Sequence, residues 1–164
     1  MNSDTTQPLL QPQSHTVTAR RAPKLRRAEA LVSLRSLGAD EYDLLLPETR
    51  YISQVLREGE VMLGAVYGKY EKLNLPKTGR GLLIITDRRI LLVDKKPLFL
   101  QYDEIKFDMV SGVQYGKALI GEAVTLNTRM GNVVMRTFND RCARHFVETV
   151  EDMLCFRDKY AGRV

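Results

Sequence analysis

The chain has 164 residues, of which 44% are hydrophobic and 27% charged, and it carries a formal net charge of +5. This composition is typical of a soluble globular domain. No apolar run approaches the ~20 residues of a membrane-spanning helix, which excludes proteins that cross a membrane with such helices. The positive excess lies mainly in residues 59–138 and favours an anionic partner.

The N-terminal residues 1–24 are polar and rich in Gln, Thr and Pro, and they lack the apolar core of a secretory signal. We predict a disordered tail there. Cys142 and Cys155 fall in one predicted C-terminal helix, roughly 20 Å apart, which is too far for a disulfide. Two free thiols in a chain without a signal predict a cytoplasmic location.

Residues 25–57 are predicted to form a helical extension. The segment from Leu25 to Leu37 reads as a helix that ends at Gly38, and Pro47 begins a second short helix that ends at Arg57. Because its apolar side chains have no evident place in the following domain, we predict that the extension docks on another copy of the chain. Packing on its own domain is the open alternative. The predicted interaction residues are Leu31, Val32, Ile52, Val55 and Leu56.

From residue 58 onward the hydrophobic pattern changes to a period of two, which is typical of strands. Seven short strands separated by turn residues indicate a β-sandwich or β-barrel. Asn139 then begins an amphipathic helix that would cover one open end of it. The predicted strands are Val61–Tyr70, Leu82–Thr86, Ile90–Val93, Leu98–Ile105, Val110–Leu119, Ala123–Thr128 and Val133–Phe138.

The second and third strands form a predicted hairpin, Gly81-Leu-Leu-Ile-Ile-Thr-Asp-Arg-Arg-Ile-Leu-Leu-Val93. This segment resembles the corresponding hairpin of bacterial pleckstrin-homology-like (PH-like) domains and of GRAM domains. Gly59-Glu60-Val61 and Tyr102-Asp103-Glu104-Ile105 add to the resemblance, which covers about residues 58–156.

The resemblance implies a mainly β fold with α, a PH-like seven-stranded barrel or sandwich capped by a C-terminal amphipathic helix, over residues 58–160. It also implies a non-enzymatic binding module, since eukaryotic members bind phosphoinositides or proteins. The Lys-x-Arg pair of lipid-binding members is not evident beside the first loop. The leading hypothesis is therefore a scaffold that contacts a protein partner or itself as a homo-oligomer.

An alternative hypothesis is peripheral binding to anionic membrane lipids through basic loops at one end of the barrel. The competing interpretation of these loops is that their lysines only improve solubility. The predicted anion-binding residues are Lys69, Lys72, Lys77, Arg80, Lys95 and Lys96. The basic segment Arg20–Arg27 reads as a solvated tail, and nucleic acid is disfavoured as a partner because no aromatic residue is interleaved there.

Catalytic and metal-binding patterns are not evident in the sequence. His15 and His145 have no neighbours at metal-ligand spacing. Gly116–Gly121 superficially resembles a phosphate loop, but it lacks the following Lys-Ser/Thr and reads as a hairpin bend. We predict no enzymatic activity, no catalytic residue, no bound metal and no cofactor.

Overall fold

A computed structural model describes residues 26–73 and 77–161, without the side chains of Lys77 and of residues 158–161. The predicted tail 1–24 and most of the basic segment Arg20–Arg27 lie outside the described residues. Seven antiparallel strands follow one another in the order β4-β3-β2-β1-β7-β6-β5. The strands are β1 Met62–Lys72, β2 Lys77–Thr86, β3 Ile90–Lys95, β4 Leu100–Ile105, β5 Val110–Lys117, β6 Glu122–Thr128 and β7 Val133–Thr137. This topology confirms the predicted fold class.

The C-terminal helix α4, Asp140–Ala161, packs against β1 and β5 and closes the main core. Asn139 caps it by accepting a hydrogen bond from the backbone N–H of Cys142 at 3.0 Å. Its apolar stripe, which includes the fully buried Phe146 and Val150, faces the inner side of the sheet. No helix in the described part of the chain is both long and apolar enough to cross a membrane.

The N-terminal extension packs on the outer face of β1, β2 and β3. It consists of α1 Arg27–Ser36, α2 Glu41–Leu45, a 3₁₀ turn Glu48–Tyr51 and α3 Ile52–Val55. A second apolar cluster lies between the extension and the sheet. Its buried members are Ala30, Leu34, Ile52, Val55, Leu56, Met62, Ala65, Leu82, Ile84, Leu91 and Val93.

This second cluster corrects the predicted role of the extension. Ile52, Val55 and Leu56 are buried against the chain's own sheet, so they are core residues rather than a free interaction surface. Of the predicted interaction residues, Leu31 is half-buried and Val32 remains 71% exposed. The extension therefore belongs to the same folding unit as the strands that it covers.

Shortening a buried side chain of the extension is expected to destabilise the whole domain. Ile52→Val should lower the free energy of unfolding by about 1 kcal/mol, because Ile52 is fully buried in the second cluster. Val32→Ala should change it by less than about 0.5 kcal/mol, because Val32 faces solvent. Urea unfolding compares the two variants. Equal effects would mean that the extension does not pack on the sheet in solution.

Both cysteines are free, as their predicted spacing requires. Cys142 is buried, whereas Cys155 is exposed on the last turns of α4. Burial, together with the nearby Asp43 and Asp40, raises the pKa of the Cys142 thiol to about 12. Cys142 is therefore an inert core residue rather than a nucleophile.

Candidate anion-binding site

Two of the cations predicted to bind anions are already neutralised by carboxylates of the same chain. Lys72 forms an ion pair with Asp103 on β4. Lys96 Nζ lies 2.9 Å from Asp94 Oδ2. Asp94 is itself buried and also accepts a hydrogen bond from the Tyr70 hydroxyl at 2.6 Å. These lysines therefore have a structural partner and are poorly placed to recruit an external anion.

Lys95 is also engaged within the fold. Its Nζ lies 5.4 Å from the centre of the Tyr51 ring and donates hydrogen bonds to the carbonyls of Lys96 and Pro97. The side chain of Lys77 is outside the described residues. Of the six predicted cations, Lys69 and Arg80 are the ones that the described structure brings together without an ion pair.

Lys69 lies at the centre of a row of three cations that crosses three strands. It is directly opposite Arg80 on β2 and directly opposite Arg136 on β7. Residues paired in this way project from the same face of the sheet, with Cβ atoms about 4.5–5.5 Å apart. All three side chains are exposed, and no ion pair joins any of them to a described residue. We call Arg80, Lys69 and Arg136 the cationic row.

Gly68 makes the close approach of β7 possible at this point. A Cβ added at Gly68 would lie 1.9 Å from the carbonyl oxygen of Arg136, which is far inside van der Waals contact. Without that Cβ, the β7 backbone approaches β1 closely enough to pair Arg136 with Lys69.

The cationic row lies in a cleft of about 440 Å³. The extension supplies one side of the cleft, where the Tyr42 ring meets the Tyr67 ring edge-on at 6.5 Å between centroids. The turn after β5 and the connection from β7 to α4 supply further lining residues. Besides the cationic row, the lining residues are Asp40, Tyr42, Asp43, Tyr67, Gly68, Ile120, Thr137, Phe138 and Asn139.

The two acidic residues of the cleft hold its wall together. Asp43 accepts hydrogen bonds from Asn139 Nδ2 at 2.7 Å and from the backbone N–H of Asp40 at 3.2 Å. Asp40 caps α2 by accepting from the backbone N–H of Asp43 at 2.9 Å. Burial raises the pKa of Asp43 despite these hydrogen bonds. Because the three cations outnumber these two carboxylates, the cleft keeps a positive excess.

The hairpin turn Thr86–Arg89, which carries the sequence resemblance, has a structural role. Thr86 Oγ1 accepts hydrogen bonds from the backbone N–H groups of Arg88 and Arg89 at 3.1 Å and 3.0 Å. Asp87 Oδ1 accepts from the backbone N–H of Val61 at 2.9 Å. The turn is therefore joined to the start of β1 and does not contribute to the cleft.

Arg89 lies at the centre of a buried ion network. Its guanidinium contacts both carboxylate oxygens of Glu60 at 2.8 Å and donates to Glu104 Oε2 at 2.7 Å and to the Val55 carbonyl at 3.0 Å. The three motifs that resemble PH-like domains supply Glu60, Arg89 and Glu104. These motifs thus encode one internal network that joins β1, the hairpin and β4.

Sequence reasoning missed Arg136, because its role depends on which residues β1 and β7 bring opposite one another. It also assigned His145 no role, and in the structure His145 Nε2 lies 2.9 Å from the Leu63 carbonyl, where it joins α4 to β1.

In the described ranges, no group of three His, Cys, Asp or Glu residues has a geometry that could hold a metal ion.

The family model described as bacterial PH domain matches residues 56–152 of the chain. Among solved structures, the Vps36 N-terminal PH domain is 18% identical, with a TM-score of 0.47, and the match covers 61% of this chain and 83% of that one. The hSac2 domain from human phosphoinositide phosphatase Sac2 is 13% identical, with a TM-score of 0.41 and coverage of 75% and 86%. The C-terminal domain of an unknown protein from Leishmania infantum is 14% identical, with a TM-score of 0.42 and coverage of 57% and 84%. No curated protein matches the chain.

Proposed function

Because this chain belongs to the bacterial PH domain family, we propose that it is a non-enzymatic binding module that recognises an anionic group in the cationic cleft. The observation that carries the proposal is the cationic row, Arg80, Lys69 and Arg136, which has no ion pair with a described residue. A cytoplasmic module with this site would meet its ligand in solution or at a membrane surface.

The cationic row is unfavourable for the isolated fold, which supports a ligand-binding role. Like charges directly opposite one another on neighbouring strands repel and destabilise a sheet. An anion that binds between them removes the repulsion and gains charge-assisted hydrogen bonds. Because the three residues stand on paired strands, little rearrangement is needed when the anion arrives.

Phosphate is the anion that fits this donor set best. A guanidinium presents a planar fork that matches two phosphate oxygens, and the row has two such groups, on Arg80 and Arg136. Lys69 lies between them and supplies a compact point charge. The shared chemistry is a phosphate group, whether it is carried by a soluble ligand or by a lipid headgroup.

Reversing one charge of the cationic row is expected to weaken binding of a soluble phosphorylated probe. Lys69→Glu and Arg136→Glu should each lower the affinity for inositol hexakisphosphate by about tenfold or more, because each replaces a favourable contact with a repulsion. Isothermal titration calorimetry measures the affinity, which should also fall as salt is added.

Arg129→Glu is the matched control, since it makes the same change in net charge on the turn between β6 and β7. Arg129 is exposed and does not line the cleft. Its reversal should alter the affinity by less than about twofold. An equal loss in all three variants would mean that the probe responds to net charge and not to the cationic row.

Protein contact, including self-association, is a second candidate function, and the exposed edge of the sheet favours it. β4 is an edge strand, and Leu98, Phe99 and Tyr102 on and before it are large exposed apolar residues. Such an edge accepts a strand or an apolar surface from another chain. Light scattering after size exclusion should then detect an oligomer that Leu98→Ser with Phe99→Ser abolishes, whereas a monomeric wild-type chain would contradict self-association.

A further inference from the structure

The turn that joins β5 to β6 carries large apolar side chains where a turn normally carries polar residues, Gly or Pro. Its ends are joined by a hydrogen bond from the backbone N–H of Ala118 to the Gly121 carbonyl at 3.0 Å. Between them, Leu119 is 107% exposed and Ile120 is 75% exposed. Leu119 is as open to solvent as in an extended peptide and adds nothing to the core. Folding therefore does not explain these two residues.

A third exposed apolar residue lies against this turn. Phe138, immediately after β7, is 83% exposed. A Cβ added at Gly121 would lie 2.4 Å from the Thr137 carbonyl oxygen and 3.2 Å from Phe138 Cδ1. Gly121, with a φ of +78°, thus allows the turn to pack closely against the end of β7. We call Leu119, Ile120 and Phe138 the apolar tip.

The apolar tip is continuous with the cationic cleft. Ile120 and Phe138 line the cleft together with the cationic row, and Arg136 is two residues before Phe138 on the chain. Lys117, exposed at the end of β5 and directly opposite Glu122 on β6, also lies beside the tip. One surface of the domain therefore presents protruding apolar side chains next to grouped positive charges.

We propose that the apolar tip inserts into the interface of a membrane that contains anionic lipids, while the cationic row binds the phosphates of the headgroups. This inference rests on the proposed anion site and identifies the source of its ligand. A soluble phosphate would contact only the cations and would not contact Leu119. A bilayer presents phosphates and apolar chains side by side, which is the pairing that this surface matches.

The chain has no tryptophan, so a single introduced one reports directly on insertion. Leu119→Trp is expected to show a blue shift of its fluorescence with vesicles of phosphatidylcholine and phosphatidylglycerol, and none with phosphatidylcholine alone. The matched control is Val61→Trp, because Val61 is 55% exposed, lies immediately before β1 and does not line the cleft. It should show no shift. Absence of a shift at Leu119, or equal shifts at both positions, would overturn the proposal.

A second variant removes the most exposed residue of the tip without adding an aromatic residue. Leu119→Ser should weaken co-sedimentation with the anionic vesicles by about tenfold, because the apolar area that enters the interface is lost. Its affinity for inositol hexakisphosphate should not change, since Leu119 does not line the cleft and the cationic row is intact. Undiminished vesicle binding by this variant would overturn insertion.

The two proposals fail in different ways. The first outcome is that the wild-type chain binds the anionic vesicles but not the soluble probe. If Lys69→Glu and Arg136→Glu then co-sediment with the vesicles as strongly as the wild-type chain, the anion site is wrong. If the soluble probe binds through the cationic row but Leu119→Trp shows no shift, the anion site stands and the membrane proposal is wrong. All three substitutions alter exposed residues, and circular dichroism checks that the variants fold.

Discussion

Replacing Arg89 with alanine is expected to lower the free energy of unfolding by about 3–5 kcal/mol, which is a large part of the stability of a small domain. Arg89 is buried and neutralises Glu60, whose side chain is fully buried. Alanine would leave that carboxylate in the core with its main partner removed and would also remove a hydrogen bond to the Val55 carbonyl. Urea unfolding at about pH 7 measures the loss.

Arg88→Ala is the matched control, because Arg88 is the adjacent residue of the same turn and is exposed. Its guanidinium reaches the carbonyls of Glu58 and Gly59 at 3.3 Å and 3.2 Å. Such exposed contacts contribute little, so the loss should be less than about 1 kcal/mol. A cost at Arg89 as small as the cost at Arg88 would contradict a structural role for the network.

The same network predicts how stability depends on pH. Burial opposes the ionisation of Glu60, but hydrogen bonds from Arg89, from the Arg57 backbone and from Thr86 outweigh it and lower the pKa of Glu60 to about 2, from an ordinary value of 4.5. Because the pKa is lower in the folded state, this stabilisation is complete above pH 4.5 and is lost as the pH falls from 4.5 to about 2.

Arg89→Ala should therefore respond to acid in the opposite sense. Without Arg89, burial raises the pKa of Glu60 against fewer stabilising hydrogen bonds. Protonation of Glu60 in acid then removes the buried charge. The difference in unfolding free energy between wild type and variant should shrink when urea unfolding is repeated at about pH 3. A constant difference across this range would mean that the cost of the substitution does not arise from the Glu60 carboxylate.

Gly68→Ala is expected to destabilise the domain by at least about 3 kcal/mol and to abolish anion binding in the cleft. The new Cβ would lie 1.9 Å from the Arg136 carbonyl oxygen and 2.7 Å from its carbonyl carbon. The obstructing atoms are backbone, so relief requires β7 to move away from β1. That movement breaks the strand pairing that aligns Lys69 with Arg136.

Gly116→Ala is the control for Gly68→Ala. Nothing lies within 4 Å of a Cβ added at Gly116, which is also in a strand. We expect it to change the free energy of unfolding by less than about 1 kcal/mol, and alanine also reduces the entropy of the unfolded chain. Thermal unfolding compares the two variants. Similar melting temperatures would contradict the close packing of β7 on β1.

The sequence contained the main features of the fold because they depend on local patterns. Alternating apolar residues and, in the central hairpin, two short continuous apolar runs identified the seven strands, and the Thr86–Arg89 turn marked the hairpin. The same hairpin also carried a signal against docking of the extension on another copy. Leu82–Ile85 and Ile90–Val93 are continuous apolar runs, which are typical of strands buried on both faces. The extension is the layer that covers their outer face.

The site depended on contacts between residues far apart in the chain, which local patterns do not reveal. The sequence identified Lys69 and Arg80 as candidates, but it could not show that Asp103 neutralises Lys72 or that Asp94 neutralises Lys96. Arg136 lies on β7, and its place in the cationic row follows from the register of β1 with β7. That register depends on the close approach of β7 to Gly68, which is a contact between residues far apart in the chain.

Mapping of anion binding on the wild-type chain by NMR tests the central proposal most directly. In a titration of the isotope-labelled protein with inositol hexakisphosphate, we expect the largest backbone amide shifts at Lys69, Arg80 and Arg136 and around the cleft. Shifts centred instead on Lys95 and Lys96, or no shifts at all, would contradict the assignment of the cationic row as the binding site.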